Sequence, residues 1–203
     1  MENRYLSSRF ERAIIIANQL HYHQRRKATG APYITHLLSV ASLVVENGGD
    51  ENQAIAALLH DAAEDQGGLA TLELIRNHFG ERVAEIVAGC SDTFETPKPP
   101  WRIRKENYLA ELKNADPDIV LVSLADKLHN ARSLVQVYKD IGDQVWERFN
   151  GGKEGTLWYY RSLVEIFQKR SDSQMVDELT NLFSEIELLS SVSNLGKLNR
   201  ILD

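Results

Sequence analysis

The 203-residue sequence predicts an all-α protein. Apolar residues recur at three- and four-residue spacing in one segment after another, no segment alternates as a strand would, and glycine or proline punctuates the gaps. Leu6, Phe10, Ala13, Ile14, Ala17 and Leu20 give an amphipathic first helix running to about His21, with basic residues expected at its C-terminal end. Ala28-Thr29-Gly30-Ala31-Pro32 reads as a turn. Tyr33-Ile34-Thr35 then leads into a second helix with Leu37, Val40, Ala41 and Val44 on its stripe, closed by Gly48-Gly49.

Asp50 and Gln53 have the spacing of a capping box and open a third helix, expected to run to Gly67-Gly68. Thr71 is placed to cap a short helix ending near Phe79-Gly80, and another follows from Glu81 to about Gly89. Pro97, Pro99 and Pro100 remove donors and fix φ, so 93–100 is expected to be a loop, one that could cover a site. Helical pattern returns from Trp101 to Lys113. Asp116-Pro117 then caps and starts a helix from about Asp118 to Asp140, with Leu121, Leu124, Leu128, Ala131 and Val135 as its buried stripe. Asn150-Gly151-Gly152 breaks the chain before two more helices, at about 153–169 and 172–189; residues 190–203 carry no clear pattern.

Composition narrows the class. The length suits one domain over 1–203 with a sizeable core, and 43% hydrophobic with 26% charged residues is ordinary for a globular protein. The lone cysteine, Cys90, cannot form an internal disulfide, and no apolar run reaches membrane-spanning length, so a cytoplasmic location without membrane contact is expected. A net charge of -6 argues against a general nucleic-acid coat, although Arg25-Arg26-Lys27, Arg102 with Arg104-Lys105, and Lys127 with Arg132 form local basic clusters.

Within the third helix, His60-Asp61-Ala62-Ala63-Glu64-Asp65 places Glu64 one turn after His60 and Asp65 one turn after Asp61, a compact polar strip. Imidazole nitrogen and carboxylate oxygen are both good ligands for borderline divalent metals, yet a lone His-Asp pair is more often a solvated helix end. Two neighbours change that weighting. His36 sits in the first turn of the second helix, and Asp126 lies at the margin of an apolar stripe, where an unpaired carboxylate would be costly. A salt bridge to a neighbouring Lys or Arg would satisfy Asp126; a metal is the sharper reading. Converging from three helices, His36, His60, Asp61 and Asp126 would supply two imidazoles and two carboxylates to one cation and leave room for water, an arrangement suited to hydrolysing phosphate esters.

The same residues carry a resemblance. His36, His60-Asp61 and Asp126 reproduce the ligand order of HD-domain metal phosphohydrolases. Three longer stretches are similar to the hydrolase domain of the RelA/SpoT alarmone enzymes: Arg26-Lys27 with Gly30 and Pro32 to His36, Ala57 to Asp65, and Leu124-Ala125-Asp126-Lys127-Leu128-His129-Asn130-Ala131-Arg132. The matches span about 20–132, and the implied fold, an HD-domain helical bundle, covers most of the chain. The chain resembles a stand-alone small alarmone hydrolase, being too short for a synthetase domain.

The resemblance implies a manganese-dependent enzyme, other divalent metals being possible, that removes the 3′-pyrophosphate from (p)ppGpp or (p)ppApp. It implies His36, His60, Asp61 and Asp126 as metal ligands, Glu64 and Asp65 as catalytic groups acting on water or its proton, and Asn130, Arg26 and Lys27 as nucleotide contacts. Leu37 stands where that family commonly has Pro, and Gln66 where it has Thr. Beyond the motifs, Trp101 is expected to fold the Pro-rich loop toward the site and bring Arg104 and Lys105 to a pyrophosphate. Lys153, Trp158, Tyr159 and Tyr160 are candidates for the nucleotide pocket, although aromatic residues at helical spacing are more often core than base-stacking. His129 reads as packed behind the site, and His21, His23 and His78 as structural or surface residues. Hydrolysis of another nucleotide by an HD enzyme, and an antitoxin-like regulator of an alarmone synthetase, are the alternatives; no protein partner is named by the sequence.

Overall fold

Every residue from Ala54 to Leu59 is fully buried, so this segment is apolar on all sides and its helix must sit inside the protein rather than on it. The computed structural model describes residues 5–199, with side chains to Ser191. Residues 1–4 and 200–203 lie outside the described residues. The helices are α1 (Ser8–Leu20), α2 (Ile34–Glu46), α3 (Glu51–Leu59), α4 (Ala62–Asp65), α5 (Leu69–Phe79), α6 (Glu81–Cys90), α7 (Trp101–Leu112), α8 (Pro117–Ile141), α9 (Gly152–Arg170) and α10 (Gln174–Asn199). A 3-10 segment, Gly142–Arg148, joins α8 to α9. Among the described residues the only strand-like pairing is an isolated bridge between Arg25 and Pro32, and no helix is long and apolar enough to cross a membrane.

Two helices organise the rest. Helix α3 packs against α1, α2, α6 and α8, and α8 packs against α2, α3, α6, α9 and α10. The start of α3 is fixed by the expected capping box: Asp50 Oδ1 accepts from Gln53 N at 2.9 Å and Gln53 Oε1 accepts from Asp50 N at 2.7 Å. At α8, Asp116 accepts from Asp118 N at 3.0 Å and Pro117 takes the first position, where its missing N–H costs nothing. Helix α6 approaches α8 closely because position 89 is glycine: a Cβ there would run into the Ile119 side chain.

Four sequence expectations need correction. The basic residues do not end α1, whose last turn has none; Arg25, Arg26 and Lys27 lie beyond it in the turn that the Arg25–Pro32 bridge closes. The third helix does not run unbroken through the His-Asp motif: α3 stops at Leu59 and the short α4 begins at Ala62. The reason is local, since His60 Nδ1 bonds Ala57 O at 2.8 Å, the carbonyl that Asp61 N–H would take in an unbroken helix. Thr71 is not a cap, because its hydroxyl donates to Gln66 O at 2.6 Å and Gly68 precedes α5 instead. The 3-10 segment was not anticipated, and the last helix continues past Leu189 to Asn199.

Leu58 is fully buried in α3, and truncating it opens a cavity that the packed helices around it fill only in part. Leu58→Ala is expected to lower the unfolding free energy by about 2–5 kcal/mol in urea titrations followed by circular dichroism.

Candidate metal centre

Two helices and one interhelical turn deliver the four expected donors to one point. His36 comes from the first turn of α2, His60 and Asp61 from the turn between α3 and α4, and Asp126 from the middle of α8. His60 Nε2 lies 3.0 Å from Asp61 Oδ2 and 3.5 Å from Asp126 Oδ1; His36 Nε2 lies 3.1 Å from Asp126 Oδ1 and 3.8 Å from Asp61 Oδ2. The donor atoms of His36, His60 and Asp126 all lie within 4.8 Å of one another, and Asp61 stands at the edge of this group with its side chain 22% exposed. Among the described residues neither imidazole Nε2 has a hydrogen-bond partner, although both are buried. Two orphaned imidazole nitrogens facing two carboxylates fit a borderline divalent cation, which accepts both donor types.

The surroundings aim those nitrogens. His60 Nδ1 is occupied by Ala57 O, and His36 Nδ1 meets His129 Nδ1 at 2.8 Å, so each ring is held with its Nε2 toward the cluster. Burial lowers the pKa of His36 and so favours its neutral form. Burial acts the same way on His129, with a pKa near 4, and His36 and Arg26 lower it further. At His60 burial is outweighed by Asp61 and Asp126, and its pKa stands well above the ordinary value. The two carboxylates thus call for positive charge beside them, which a cation supplies. Burial would raise the Asp126 pKa, but Lys127 and His60 outweigh it and hold the carboxyl far below its usual range. Lys127 Nζ donates to Asp126 Oδ2 at 2.5 Å, and Asn130 Nδ2 to Asp126 Oδ1 at 2.5 Å.

Next to the cluster lies a cavity of about 390 Å³, lined by Asp61, Asp126, Glu64 and Asp65 among others. Glu64 Oε2 accepts from Asp92 N at 3.0 Å and Glu64 Oε1 from Lys98 Nζ at 2.9 Å; Lys98 also reaches Asp65 Oδ1 at 3.3 Å. Gln24 Nε2 donates to Asp65 Oδ2 at 2.8 Å, and Gln66 Nε2 donates to Gln24 Oε1 at 2.6 Å. Burial, then the Asp92 carboxylate, raises the Glu64 pKa.

The other expected contacts divide. Arg26 lines the cavity, donates to Asn130 Oδ1 at 2.6 Å and lies 5.6 Å from the Tyr33 ring centroid; Lys27 lines the cavity and is exposed. Arg104 and Lys105 also line the cavity, where both bond Asp92, at 2.6 and 2.7 Å. Trp101 does fold onto the site wall, packed so closely over Gly151 and Gly155 that a Cβ at either would crowd the indole. Lys153 is not brought to the cavity: its ammonium turns the other way and donates to Ser190 O at 2.7 Å, on α10. His21 is buried and stacked on Tyr33, and His78 is exposed at the end of α5 with its Nδ1 on Leu74 O.

Three residues of the site were not singled out from sequence. Tyr33 donates to Asp61 Oδ2 at 2.5 Å; its place three residues before His36, on the same helical face, was the available signal. Lys98 lies in the loop expected over the site, but nothing in the loop's sequence aims it at Glu64. Asp92 had no local signal at all, because its partners Arg104 and Lys105 lie on another helix.

The HD-domain family matches residues 13–157. The guanosine-3′,5′-bis(diphosphate) 3′-pyrophosphohydrolase of Aquifex aeolicus (strain VF5) is 39% identical over 124 residues, which are 61% of this chain and 17% of that protein. The probable GTP pyrophosphokinase of Mycobacterium leprae (strain TN) is 37% identical over 128 residues, 61% of this chain and 16% of that protein. The bifunctional (p)ppGpp synthase/hydrolase SpoT of Escherichia coli (strain K12) is 35% identical over 138 residues, 65% of this chain and 19% of that protein. The match thus spans less than a fifth of each of these curated relatives. Among solved structures, a metazoan ortholog of SpoT described as hydrolysing ppGpp superposes with a TM-score of 0.72 at 24% identity, over 90% of this chain and 98% of that one. The crystal structure of lmo0812 from Listeria monocytogenes EGD-e gives a TM-score of 0.65 at 28% identity, over 74% and 97% of the two chains.

His60→Ala removes one donor from the cluster and is expected to abolish retention of divalent metal after desalting, read by elemental analysis. His129→Ala leaves all four donors in place and is expected to weaken metal affinity by about 10–100-fold through loss of the His36 orientation, read by calorimetric titration.

Proposed function

The chain belongs to the HD-domain family, and from that premise we propose that it is a metal-dependent hydrolase removing the 3′-pyrophosphate from (p)ppGpp or (p)ppApp, acting as one hydrolase unit. The observation that carries the reading is the charge of the cavity. Eight cationic side chains line it against five carboxylates, on a chain whose net charge is -6, so positive charge is gathered at this one place beside the candidate metal centre. Such a cavity suits a small ligand carrying several phosphates. The names of the relatives, pyrophosphohydrolase in Aquifex aeolicus and (p)ppGpp synthase/hydrolase in Escherichia coli, point to the same substrate class.

His36, His60, Asp61 and Asp126 would hold the cation, with manganese proposed for this mixed nitrogen and oxygen donor set and other divalent ions able to compete. When bound, the cation supplies Lewis-acid charge for the phosphate under attack and for the attacking water. Glu64, its pKa raised by burial and Asp92, holds a proton more readily than an ordinary carboxylate and is suited to exchange one with the attacking water. Asp65 stands beside it, held by Gln24, while Lys98 bridges the two carboxylates and offsets their repulsion. Arg26 and Asn130 form one connected pair that would meet the nucleoside end, with the exposed Lys27 beside them in the chain, and Arg104 with Lys105 would meet phosphate. The buried lone thiol of Cys90 accords with the reducing cytoplasm proposed as its compartment.

The purified chain incubated with ppGpp, ppApp and ordinary nucleotides, with and without Mn²⁺, is expected to release pyrophosphate from an alarmone only when metal is present, as resolved by ion-exchange chromatography. Absence of turnover on either alarmone under several metals would overturn the reading. Glu64→Ala is expected to retain metal while losing about 10²-fold or more in kcat.

A further inference from the structure

The two carboxylates of the candidate metal centre are held in different ways. Asp126 lies in the middle of α8, and its side chain accepts from Lys127 and Asn130 of that same helix. Asp61 lies in the turn between α3 and α4 and has no such support from its own element. Among the described residues its side chain accepts one hydrogen bond, from the Tyr33 hydroxyl at 2.5 Å. The oxygen concerned is Oδ2, which lies 3.0 Å from His60 Nε2 and 3.8 Å from His36 Nε2. A carboxylate oxygen offers two lone pairs and a phenol donates one hydrogen, so Tyr33 takes one side of Oδ2 and leaves the other free.

Tyr33 is itself fixed from several directions. It directly precedes α2, and its N–H donates to Gln24 O at 3.0 Å. Its ring stacks on the His21 ring, with centroids 5.1 Å and planes 19° apart, and meets the His36 ring edge-on at 5.5 Å. His21 is only 2% exposed and its Nδ1 bonds Gln24 Oε1 at 2.6 Å, so the platform against Tyr33 is anchored as well. A phenol packed against two buried rings has lost its rotamer freedom before any ligand arrives, and its hydroxyl can hold one carboxylate rotamer against the others. We infer that Tyr33 is a positioning residue for the metal centre: it selects the rotamer of Asp61 that presents Oδ2 to the cation, and the buried His21 ring is the platform that holds it there. The inference rests on the donor set proposed above and deepens it, since it explains how the least buried of the four donors serves as a ligand from a turn.

The test is calorimetric titration of Mn²⁺ into the full, metal-stripped chain, with the visible spectrum of the Co²⁺-loaded chain recorded beside it, for the wild type, Tyr33→Phe, His21→Ala and His21→Phe. Tyr33→Phe keeps the ring and its packing and loses the hydroxyl alone. It is expected to weaken Mn²⁺ by about 10–100-fold and to shift the Co²⁺ bands. Those bands report the cation's own ligands, so a loss of stability alone leaves them in place. The His21 pair tests the same contact without touching Tyr33: His21→Ala is expected to weaken Mn²⁺, and His21→Phe to restore affinity, because a phenyl ring rebuilds the stack without the Gln24 bond. Wild-type affinity and an unshifted spectrum in Tyr33→Phe overturn the inference, and equal losses in the two His21 variants overturn the platform. Pyrophosphate release from an alarmone, measured alongside, separates the claims. Turnover by the wild type with unchanged Mn²⁺ affinity in Tyr33→Phe removes the positioning role and keeps the proposed reaction. Weakened Mn²⁺ binding in that variant without alarmone turnover by the wild type removes the reaction and keeps Tyr33 behind Asp61. A wild type that binds no divalent metal overturns both.

Discussion

The structure depends on placing two carboxylates, Asp61 and Asp126, against two buried imidazoles inside an apolar helical bundle. Taking a carboxylate out of water costs several kcal/mol unless positive charge or donors replace the lost solvation. Here the replacement is partial and directional. Lys127 donates to Asp126 Oδ2, while the two oxygens that face the imidazoles, Asp126 Oδ1 and Asp61 Oδ2, each accept one hydrogen bond, from Asn130 and Tyr33, and lie against imidazole nitrogens that lack partners among the described residues. Two orphaned imidazole nitrogens among carboxylate oxygens leave a place suited to a further positive group.

That requirement explains much of the architecture. Helix α3 is apolar on every side so that its C-terminal end can carry His60 into the interior, and α8 crosses beside it so that Asp126 arrives from the opposite direction. The break between α3 and α4 frees Asp61 to turn inward. It also sends Glu64 and Asp65 toward the cavity, where Lys98 and Gln24 hold them. The cavity wall built from α7 and α9 balances these acids with Arg104 and Lys105 on Asp92, and Trp101 seals it against the glycines of α9 and the turn before it. Charges of both signs are thus kept close without cancelling at the points where a ligand would sit.

The sequence made the helices legible wherever the information was local. The capping box at Asp50, the Asp-Pro start of α8 and the apolar stripe around Asp126 all depend on residues within four positions of one another, and each is found where that spacing puts it. Local reasoning failed where a side chain competed with the backbone. His60 takes the Ala57 carbonyl and ends α3 early, and Thr71 bonds Gln66 O instead of capping. Periodicity has no means of weighing such a bond against the helix it interrupts.

What the sequence by itself determined is the all-α character, the order of the helices and the four donor types that could meet at one point, because these follow from spacing along the chain. What only the tertiary structure decided is which side chains face the cavity. Lys153 and Lys105 both lie on helices near the site. Lys153 turns to the carbonyl of Ser190 on α10, and Lys105 turns to Asp92 beyond α6. A long side chain on an amphipathic helix goes to whichever acceptor the packing brings within reach, and that acceptor is set by the crossing of helices distant in sequence. At Tyr159 helical spacing leaves core and pocket both open, and only the folded chain shows its ring packed beside Lys105 and its hydroxyl buried without a partner among the described residues.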